Sequence, residues 1–266
     1  MTQNPWIELE SVIRAQLELQ VELSLDRHQQ FMLKYGLAQC QNVVDIGTGN
    51  GLFLRKLAQR HPMIKFHGID DKAHMIEEAK SRSETNVDWT QADALDESVQ
   101  TMLGTTDGIL MRYFVLHMPN TSISLPQILS RVRPGTYVWI FDLDTDYCVC
   151  EPEQDAYNSF VDLVRSFCDK NSVQIRTGSM LPPILEATGF EIQEVCAEPF
   201  NNQEIDPKLF AEYLFREATL YHHFLEGTHS SEKLREIEHF FFEVMDRDMH
   251  FVQYGMAMIG AVKNRF

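Results

Sequence analysis

The sequence predicts an α/β fold in which a mostly parallel, doubly wound sheet is covered by helices on both faces. Short apolar runs alternate with helical patterns between residues 42 and 144, and strands separated by helices in this way form right-handed βαβ units. A glycine-rich turn, "DIGTGNG", ends the first of these runs. Because doubly wound sheets bind ligands beyond the carboxyl ends of their strands, we expect a ligand site beside the first strand.

The first predicted element is an amphipathic helix that follows the capping pair Asn4-Pro5. Its apolar residues recur every four positions: Leu9, Ile13, Leu17, Val21 and Leu25. A second helical piece around residues 31–35 is expected to end at Gly36. Five strands are then predicted, in the runs 42–47, 63–70, 86–93, 107–114 and 136–144.

Helices predominate after the fifth run. Residues 151–175 predict an inserted helix, and a later helix is expected to open at Ser179 with its two prolines and to close at Gly189. A strand follows at 190–198. Two more helices are predicted, one capped by Asp206 before Pro207 and one opened by Ser230 or Ser231. The last strand is expected to run from 251 to 262.

The composition predicts a soluble protein. Hydrophobic residues make up 44% and charged residues 23% of 266 positions, and no segment approaches the roughly 20 apolar residues of a membrane span. The N-terminus shows neither a signal nor a transit peptide, so a cytoplasmic location is expected. The five cysteines lack CxxC spacing, which argues against a disulfide framework and a structural zinc site.

The net charge argues against nucleic acid as a partner. The formal charge at pH 7 is -16, and the sequence contains no run of three or more consecutive Lys or Arg residues. Affinity for phosphate backbones grows with the number of Lys and Arg contacts, so an acidic protein repels them. Binding to nucleic acid or to a membrane is therefore not expected.

The glycine-rich turn departs from the pattern of nicotinamide-binding proteins. Those proteins carry GxGxxG, whereas Leu52 follows Gly51 here and gives GxGxG. Asp45 stands two positions before the first glycine, where its charge would repel a pyrophosphate and attract a cation. The turn favours a cationic ligand, and a NAD(P)-dependent oxidoreductase is the weaker alternative.

At these residues the sequence resembles the class I S-adenosylmethionine-dependent methyltransferases. "DIGTGNG" is similar to their first motif, "FHGIDDKAHMIEEAK" to their second-strand motif and "QADAL" to their adenine-binding motif. The resemblance implies a Rossmann-like sheet of seven strands, the last antiparallel, with an α-helical lid. It also implies one domain over residues 1–266, comprising a helical cap (1–38), a cofactor-binding core (42–145) and lid insertions (151–175 and 204–248).

The resemblance also assigns cofactor-binding residues. Asp45 is expected near the methionyl amino group, and the three glycines, Gly47, Gly49 and Gly51, along the amino-acid part of S-adenosylmethionine. A carboxylate accepts two hydroxyl hydrogen bonds at once, which suits Asp70 to the ribose diol. The remaining assignments are Asp93 for the adenine amino group, Ala94 for a ring nitrogen, Met75 for the adenine face and the carbonyl of Arg112 for the methionyl amine. Asp71 departs from the family, which often has an apolar residue there.

The implied activity is transfer of a methyl group to a small organic acceptor, leaving S-adenosylhomocysteine. The leaving group is a neutral thioether, so positioning supplies most of the catalysis and a base is helpful but dispensable. His117 is the first candidate for a base, and it is equally suited to holding its loop by a hydrogen bond. Tyr113 and Asp144 are further candidates for orienting the acceptor.

The acceptor pocket is expected on a lid helix, at Tyr221, His222 and Phe224. His222 and His223 point about 100° apart on a helix, so no metal is expected, even with His250 nearby. No "NPPY"-type segment follows the fourth strand, which favours a small acceptor over nucleic acid. The expected partners are this acceptor and a second copy of the chain in a homodimer. A non-catalytic protein that binds the cofactor or a partner remains the alternative.

Overall fold

The computed structural model describes residues 5–82, 84–225, 231–245 and 248–265, with residues 5–11 described by their backbone alone. The chain divides into two compact units. The sheet unit comprises residues 25–144, 176–198 and the chain from 256 onward. The helical unit comprises the described parts of residues 5–24, 145–175 and 199–255. In the described part of the chain, no helix is long and apolar enough to cross a membrane.

The sheet unit contains a seven-stranded sheet with the order β3-β2-β1-β4-β5-β9-β7. The strands, numbered along the chain, are β1 (Asn42–Ile46), β2 (Lys65–Asp70), β3 (Val87–Gln91), β4 (Gly108–Arg112), β5 (Tyr137–Leu143), β7 (Phe190–Ala197) and β9 (Met256–Lys263). β9 is antiparallel to both of its neighbours, β5 and β7, and the other described pairings of this seven-stranded sheet are parallel. The predicted fold class, with its antiparallel last strand, is confirmed.

The strand order reverses beside β1, which pairs with β2 on one edge and with β4 on the other. The central strands are apolar almost throughout: four of the five residues of β1 are buried, as are six of the seven of β5. Continuous burial is expected of parallel strands that are covered on both faces. The reversal leaves a crevice at the carboxyl ends of β1 and β4, where doubly wound folds bind their ligands.

Helices connect these strands. They are α2 (Leu52–Arg60), α3 (Ala73–Ser81), α4 (Glu97–Leu103), α5 (Thr121–Ile128) and α7 (Thr177–Ala187). The first helix, α1 (Pro5–Lys34), is continuous, so the prediction of a separate helical piece before Gly36 was wrong. Its predicted cap at Asn4 lies outside the described residues. After Pro5, no glycine or proline occurs within the 30 residues of this helix to divide it.

Helix α7 begins two residues earlier than its sequence predicts. The Asp144 carboxylate accepts a hydrogen bond from the Gly178 amide at 2.7 Å, which satisfies one of the free amides of the first turn. The two prolines, Pro182 and Pro183, therefore lie within the helix instead of opening it. Gly189 follows the helix with a φ of 80°, as a terminating glycine does.

The helical unit is built from α6 (Asp155–Asn171), α8 (Pro207–Phe224) and α9 (Ser231–His239), which continues as a π-helical turn at Phe240–Val244. Asp206 caps α8 as predicted, since its carboxylate accepts from the amides of Lys208 and Leu209 at 3.0 and 3.1 Å. α9 begins at Ser231, and Ser230 lies outside the described residues.

The predicted last strand is two strands. β8 (Phe251–Gln253) pairs with β6 (Val149–Glu151) in a small antiparallel sheet, while β9 joins the large one. The two intervening amides are diverted from both ladders: Tyr254 donates to the Phe200 carbonyl at 2.9 Å and Gly255 to the Cys148 sulfur at 3.2 Å. A strand cannot continue where its amides bond elsewhere.

Candidate cofactor site

The glycine-rich loop joins β1 to α2 and is fixed to the end of β2. The amides of Gly47 and Thr48 both donate to the Ile69 carbonyl at 2.9 Å. The amide of Gly49 donates to the Asp70 carboxylate at 2.9 Å. These three bonds attach the loop to the carboxyl end of the neighbouring strand, where Asp70 is its side-chain partner.

The three glycines of the loop are required for different structural reasons. All three have positive φ values, between 58° and 74°. A Cβ on Gly51 would lie 2.3 Å from the Trp89 ring and one on Gly47 would lie 2.5 Å from Phe114, so protein packing excludes a side chain at both. A Cβ on Gly49 would meet nothing within 4 Å. Gly49 is half-buried and is the glycine beside whose Cα the protein leaves open space, as close approach of a ligand requires.

Asp70 has acceptor capacity beyond its bonds to the loop. One oxygen accepts from the Gly49 amide and the other accepts from the Lys72 amide at 3.0 Å. A carboxylate has about four acceptor positions, and these two bonds fix its orientation without using all of them. Each oxygen retains room for one further donor, which is what a vicinal diol supplies.

Asp45 is a buried carboxylate at the end of β1. It is 4% exposed and accepts a hydrogen bond from the Thr48 hydroxyl at 2.7 Å. Burial raises the pKa of Asp45 to about 7, although the Thr48 hydrogen bond and the positive charge of Arg112 oppose the rise. A cation bound near Asp45 would favour its ionised form. This carboxylate is therefore suited to receive an ammonium group.

A cavity of about 440 Å³ opens beside Asp70 in the sheet unit. A volume of this order is typical of small-molecule sites. The residues around it combine strand-end carboxylates with apolar and aromatic groups. The cavity is lined by Ile46, Gly47, Ile69, Asp70, Asp71, Lys72, Ala92, Asp93, Ala94, Leu95, Tyr113, Phe114, His117, Met118, Pro119 and Ile128.

Six predicted site residues line this cavity: Gly47, Asp70, Asp93, Ala94, Tyr113 and His117. The lining does not include the other predicted residues of the sheet unit, namely Asp45, Gly49, Gly51, Met75, Arg112 and Asp144. Asp45 and Gly49 are nevertheless bonded to neighbours at this site. Asp45 accepts a hydrogen bond from Thr48 of the glycine-rich loop, and Gly49 of the same loop donates one to Asp70. Met75 is half-buried in the first turn of α3, and its adenine contact stays a prediction.

The cavity wall after β4 has an unusual backbone. Tyr113 has a φ of 49°, in the left-handed region that non-glycine residues rarely adopt. Its amide donates to the Phe141 carbonyl at 2.9 Å, which fixes the turn. Left-handed residues of this kind cluster at functional sites. The turn presents Tyr113 and Phe114 to the cavity, and the chain then enters the 3₁₀ turn Val115–His117.

The His117 side chain is exposed on the cavity wall. Partial desolvation by the surrounding protein nevertheless lowers its pKa, and the positive charge of nearby Lys72 lowers it further. The imidazole is therefore neutral at pH 7 and able to accept a proton. Its turn is anchored by Asp142, a residue that no sequence motif marks. This carboxylate is fully buried and accepts from the Leu116 amide at 3.1 Å and from the Leu143 amide at 2.9 Å.

The side chains of Asp144 and Arg112, two predicted site residues, contact other groups of the protein. The Asp144 carboxylate is buried and bonded to the first turn of α7, so its role toward an acceptor stays a prediction. The Arg112 guanidinium stacks over the Phe53 ring at 3.8 Å and donates from Nε to Nδ1 of His28 at 3.1 Å. The sequence indicated only the carbonyl of Arg112, since His28 is 84 positions away along the chain.

The predicted acceptor residues lie on α8, in the helical unit. The rings of Tyr221 and Phe224 pack on Phe167, with centroids 4.6 and 5.6 Å away. Tyr221 also hydrogen-bonds to the buried Glu217 carboxyl group. These contacts place Tyr221 and Phe224 in the packing of their own unit, and their role toward an acceptor stays a prediction. Among the described residues, no group of three His, Cys, Asp or Glu side chains is arranged to hold a metal ion.

Comparisons with known proteins match the core of the chain to methyltransferases. Residues 43–135 match the family model described as a methyltransferase domain. The chain is 30% identical over 96 residues to the trans-aconitate 2-methyltransferase of Pseudomonas paraeruginosa, and the match covers 36% of this chain and 33% of that protein. The matched stretch thus spans about a third of the relative's length.

Solved structures share the fold at low sequence identity. Phosphoethanolamine N-methyltransferase 2 of Haemonchus contortus, solved with phosphomonomethylethanolamine and S-adenosylhomocysteine, has a TM-score of 0.58 at 16% identity, over 90% of this chain and 53% of that chain. The cyclase SpnF has a TM-score of 0.53 at 18% identity, over 84% and 75%. Because one fold carries different reactions, the site must decide the activity.

Proposed function

We propose that this chain is a class I S-adenosylmethionine-dependent methyltransferase, which transfers the methyl group of S-adenosylmethionine to a small organic acceptor. The observation that carries the proposal is the pairing of Asp70 with the amide of Gly49 at the edge of the cavity. It combines a carboxylate that suits a ribose diol with the one glycine of the motif at which an added Cβ would meet no protein atom within 4 Å.

The residues around the cavity fit the parts of this cofactor. Asp45 would receive the methionyl ammonium group, Asp70 the ribose hydroxyls, and Asp93 with Ala94 the adenine edge. The cofactor supplies a methyl group bonded to a positively charged sulfur. The carboxylates at the strand ends would attract the positive sulfonium and ammonium groups of the bound cofactor, and these charges would in turn favour the ionised carboxylates. A nicotinamide dinucleotide would instead bring its pyrophosphate toward the buried Asp45 carboxylate, which disfavours the oxidoreductase alternative.

His117 is proposed as the general base for acceptors that lose a proton. Its neutral imidazole lines the cavity together with Tyr113, which would orient the acceptor. A carboxylate acceptor needs no base, because it is already ionised at pH 7. The relative's name points to trans-aconitate, so this tricarboxylate is the first acceptor to assay, together with amines, alcohols and thiols.

Further proposals concern the surroundings of the protein. None of the described cysteines, at 40, 148, 150, 168 and 196, forms a disulfide, which supports a reducing compartment such as the cytoplasm. We expect the helical segments 151–175 and 204–248 to serve as a lid and residues 1–38 as a cap. The homodimer stays a prediction.

Calorimetry tests the proposed cofactor directly. We expect wild-type protein to bind S-adenosylmethionine and S-adenosylhomocysteine but not NADH. The Asp70→Ala variant should bind both more weakly by about 1.5 to 3 kcal/mol, the range for hydrogen bonds to charged groups. Asp88→Ala is the matched control, since Asp88 lies exposed on β3 outside the cavity lining. Equal affinities for the two variants would remove Asp70 from the site, and binding of NADH alone would overturn the proposal.

Turnover separates the enzyme from a non-catalytic binding protein. Methyl transfer from labelled S-adenosylmethionine to one of the acceptors, with release of S-adenosylhomocysteine, is the expected result. Tight binding of the cofactor without transfer to any acceptor class would favour the non-catalytic alternative.

A further inference from the structure

A buried chain of polar side chains connects α1 and the end of β7 to the cofactor loop. The His28 ring lies at its centre and is fully buried. Its Nδ1 accepts from Nε of Arg112 at 3.1 Å, and its Nε2 lies 2.9 Å from Oε2 of Glu198. The other Glu198 oxygen accepts from Nε of Arg27 at 3.1 Å. The proposed function uses neither His28 nor Glu198.

The hydrogen bonds define the protonation state of His28. Arg112 can only donate, so Nδ1 must present a lone pair and the single ring proton must lie on Nε2, which donates to Glu198. A second proton on Nδ1 would face the guanidinium. Burial lowers the pKa of His28 to about 4, in agreement with this neutral tautomer. The imidazole therefore links a carboxylate to a guanidinium without a charge of its own.

Packing holds both ends of this link in place. The His28 ring stacks on Phe141 with centroids 3.9 Å apart and planes 12° from parallel. The Arg112 guanidinium lies 3.8 Å above the ring of Phe53, the second residue of α2. Because α2 begins where the glycine loop ends, the position of this guanidinium is set relative to the loop.

The register of β1 against β4 places Arg112 on the same face of the sheet as the loop carboxylate of Asp45, two residues beyond the β4 partner of Asp45. The charged groups that act on Asp45 are Arg112, which favours its ionised form, and Asp70, which opposes it. The charged groups that act on His28 are Glu198, Arg112 and Arg27. Asp45 thus has one favourable charge to set against its burial, and His28 holds that charge in position.

We propose that His28 and Glu198 are positioning residues of the cofactor site: they hold Arg112 on Phe53, where its charge favours the ionised form of Asp45 that would receive the ammonium group of the cofactor. This inference rests on the proposed function, since it concerns the same site. It predicts that a mutation at His28 changes how cofactor affinity depends on pH, as well as the affinity itself.

The expected pH profile follows from the pKa of Asp45, which is about 7. Above this value Asp45 is ionised and the affinity for S-adenosylhomocysteine is constant. Below it the cofactor must displace a proton, so affinity falls by up to about tenfold per pH unit. If Arg112 loses its position, Asp45 holds its proton to higher pH, and the midpoint of the profile rises.

Two substitutions separate the hydrogen bond from the packing. His28→Phe keeps an aromatic ring beside Phe141 but cannot accept from Arg112. His28→Asn loses the ring and keeps an oxygen near the place of Nδ1. Calorimetry with S-adenosylhomocysteine from about pH 5.5 to about pH 8.5 should show the midpoint raised by about one pH unit and affinity at pH 7 reduced about fivefold in His28→Phe. His28→Asn should stay within about threefold of wild type.

A double-mutant cycle with Asp45→Asn distinguishes positioning from a merely structural role. In the Asp45→Asn background, which has no ionisable loop carboxylate, His28→Phe should cause less than about a twofold further loss. Glu198→Gln, which should raise the midpoint in the same direction, provides the test if His28→Phe does not fold. An unchanged midpoint in the folded variant, or an equal loss in both backgrounds, would overturn the inference. Absence of binding by wild-type protein would instead overturn the proposed function.

Discussion

At the scale of single residues, the three loop glycines serve two different purposes. The Trp89 ring leaves no room for a side chain at Gly51, whereas there is open space where a Cβ would stand at Gly49. A sequence motif cannot distinguish these reasons, because both positions read as glycine. Only the positions of Trp89 and Phe114, both distant along the chain, show which glycine the protein leaves open to a ligand.

This difference predicts opposite consequences for two alanine substitutions. Gly51→Ala should destabilise the fold by about 2 to 5 kcal/mol, because it adds a clash with Trp89 to the strain of a positive φ. Gly49→Ala should cost only the strain, about 1 to 2 kcal/mol, and should weaken S-adenosylhomocysteine binding. Urea denaturation and calorimetry measure the two effects. Equal losses of stability would contradict the assignment.

His117 gives a second prediction at this scale. With an acceptor that must lose a proton, His117→Ala should lower kcat by about 100- to 10,000-fold, the range of general-base catalysis. Affinity for S-adenosylhomocysteine should change by less than about threefold. His67→Ala is the control, since that histidine bonds to Thr90 at 2.8 Å and lies outside the cavity lining. A similar kcat for both variants would leave His117 without a catalytic role.

At the scale of elements, the end of β5 organises two neighbouring segments through two carboxylates. Asp142 holds the 3₁₀ turn Val115–His117, and Asp144 caps α7. Burial raises the pKa of Asp142 to about 7. Since this folded-state value lies above that of the unfolded chain, the contribution of Asp142 to stability is greatest below about pH 4 and is lost as pH rises through about 7.

Each carboxylate should protect its own segment. Asp142→Asn replaces one acceptor by an amide donor and leaves a backbone N–H unpaired, at a cost of about 1 to 3 kcal/mol. We expect faster amide hydrogen exchange at Leu116 in Asp142→Asn and at Gly178 in Asp144→Asn, so that each variant is the control for the other. Exchange that changes equally at both amides in either variant would contradict this division.

The sequence predicted the elements whose signal is local. The apolar runs and the loop glycines located β1 to β5, and Asp206 located the start of α8. It did not predict the break between β8 and β9, because the diverted amides of Tyr254 and Gly255 bond to partners that are distant in sequence. The link from His28 to Glu198 crosses 170 positions and carries no motif, so only the folded structure reveals it.

At the scale of the whole molecule, the charge of -16 predicts which partners are excluded. A polyanion would lose affinity to repulsion instead of gaining it from counterion release. A labelled oligonucleotide should therefore show no change in fluorescence anisotropy with up to about 10 μM protein at low salt. Saturable binding in that range would show a basic surface that the total charge conceals.

The most direct test of the central claim is a crystal structure of the protein soaked with S-adenosylhomocysteine. We predict density for the nucleoside beyond the carboxyl ends of β1 and β2, with the ribose hydroxyls on Asp70 and the amino-acid part along Gly49. Density for the compound at any other place in the molecule would contradict the assignment of this site.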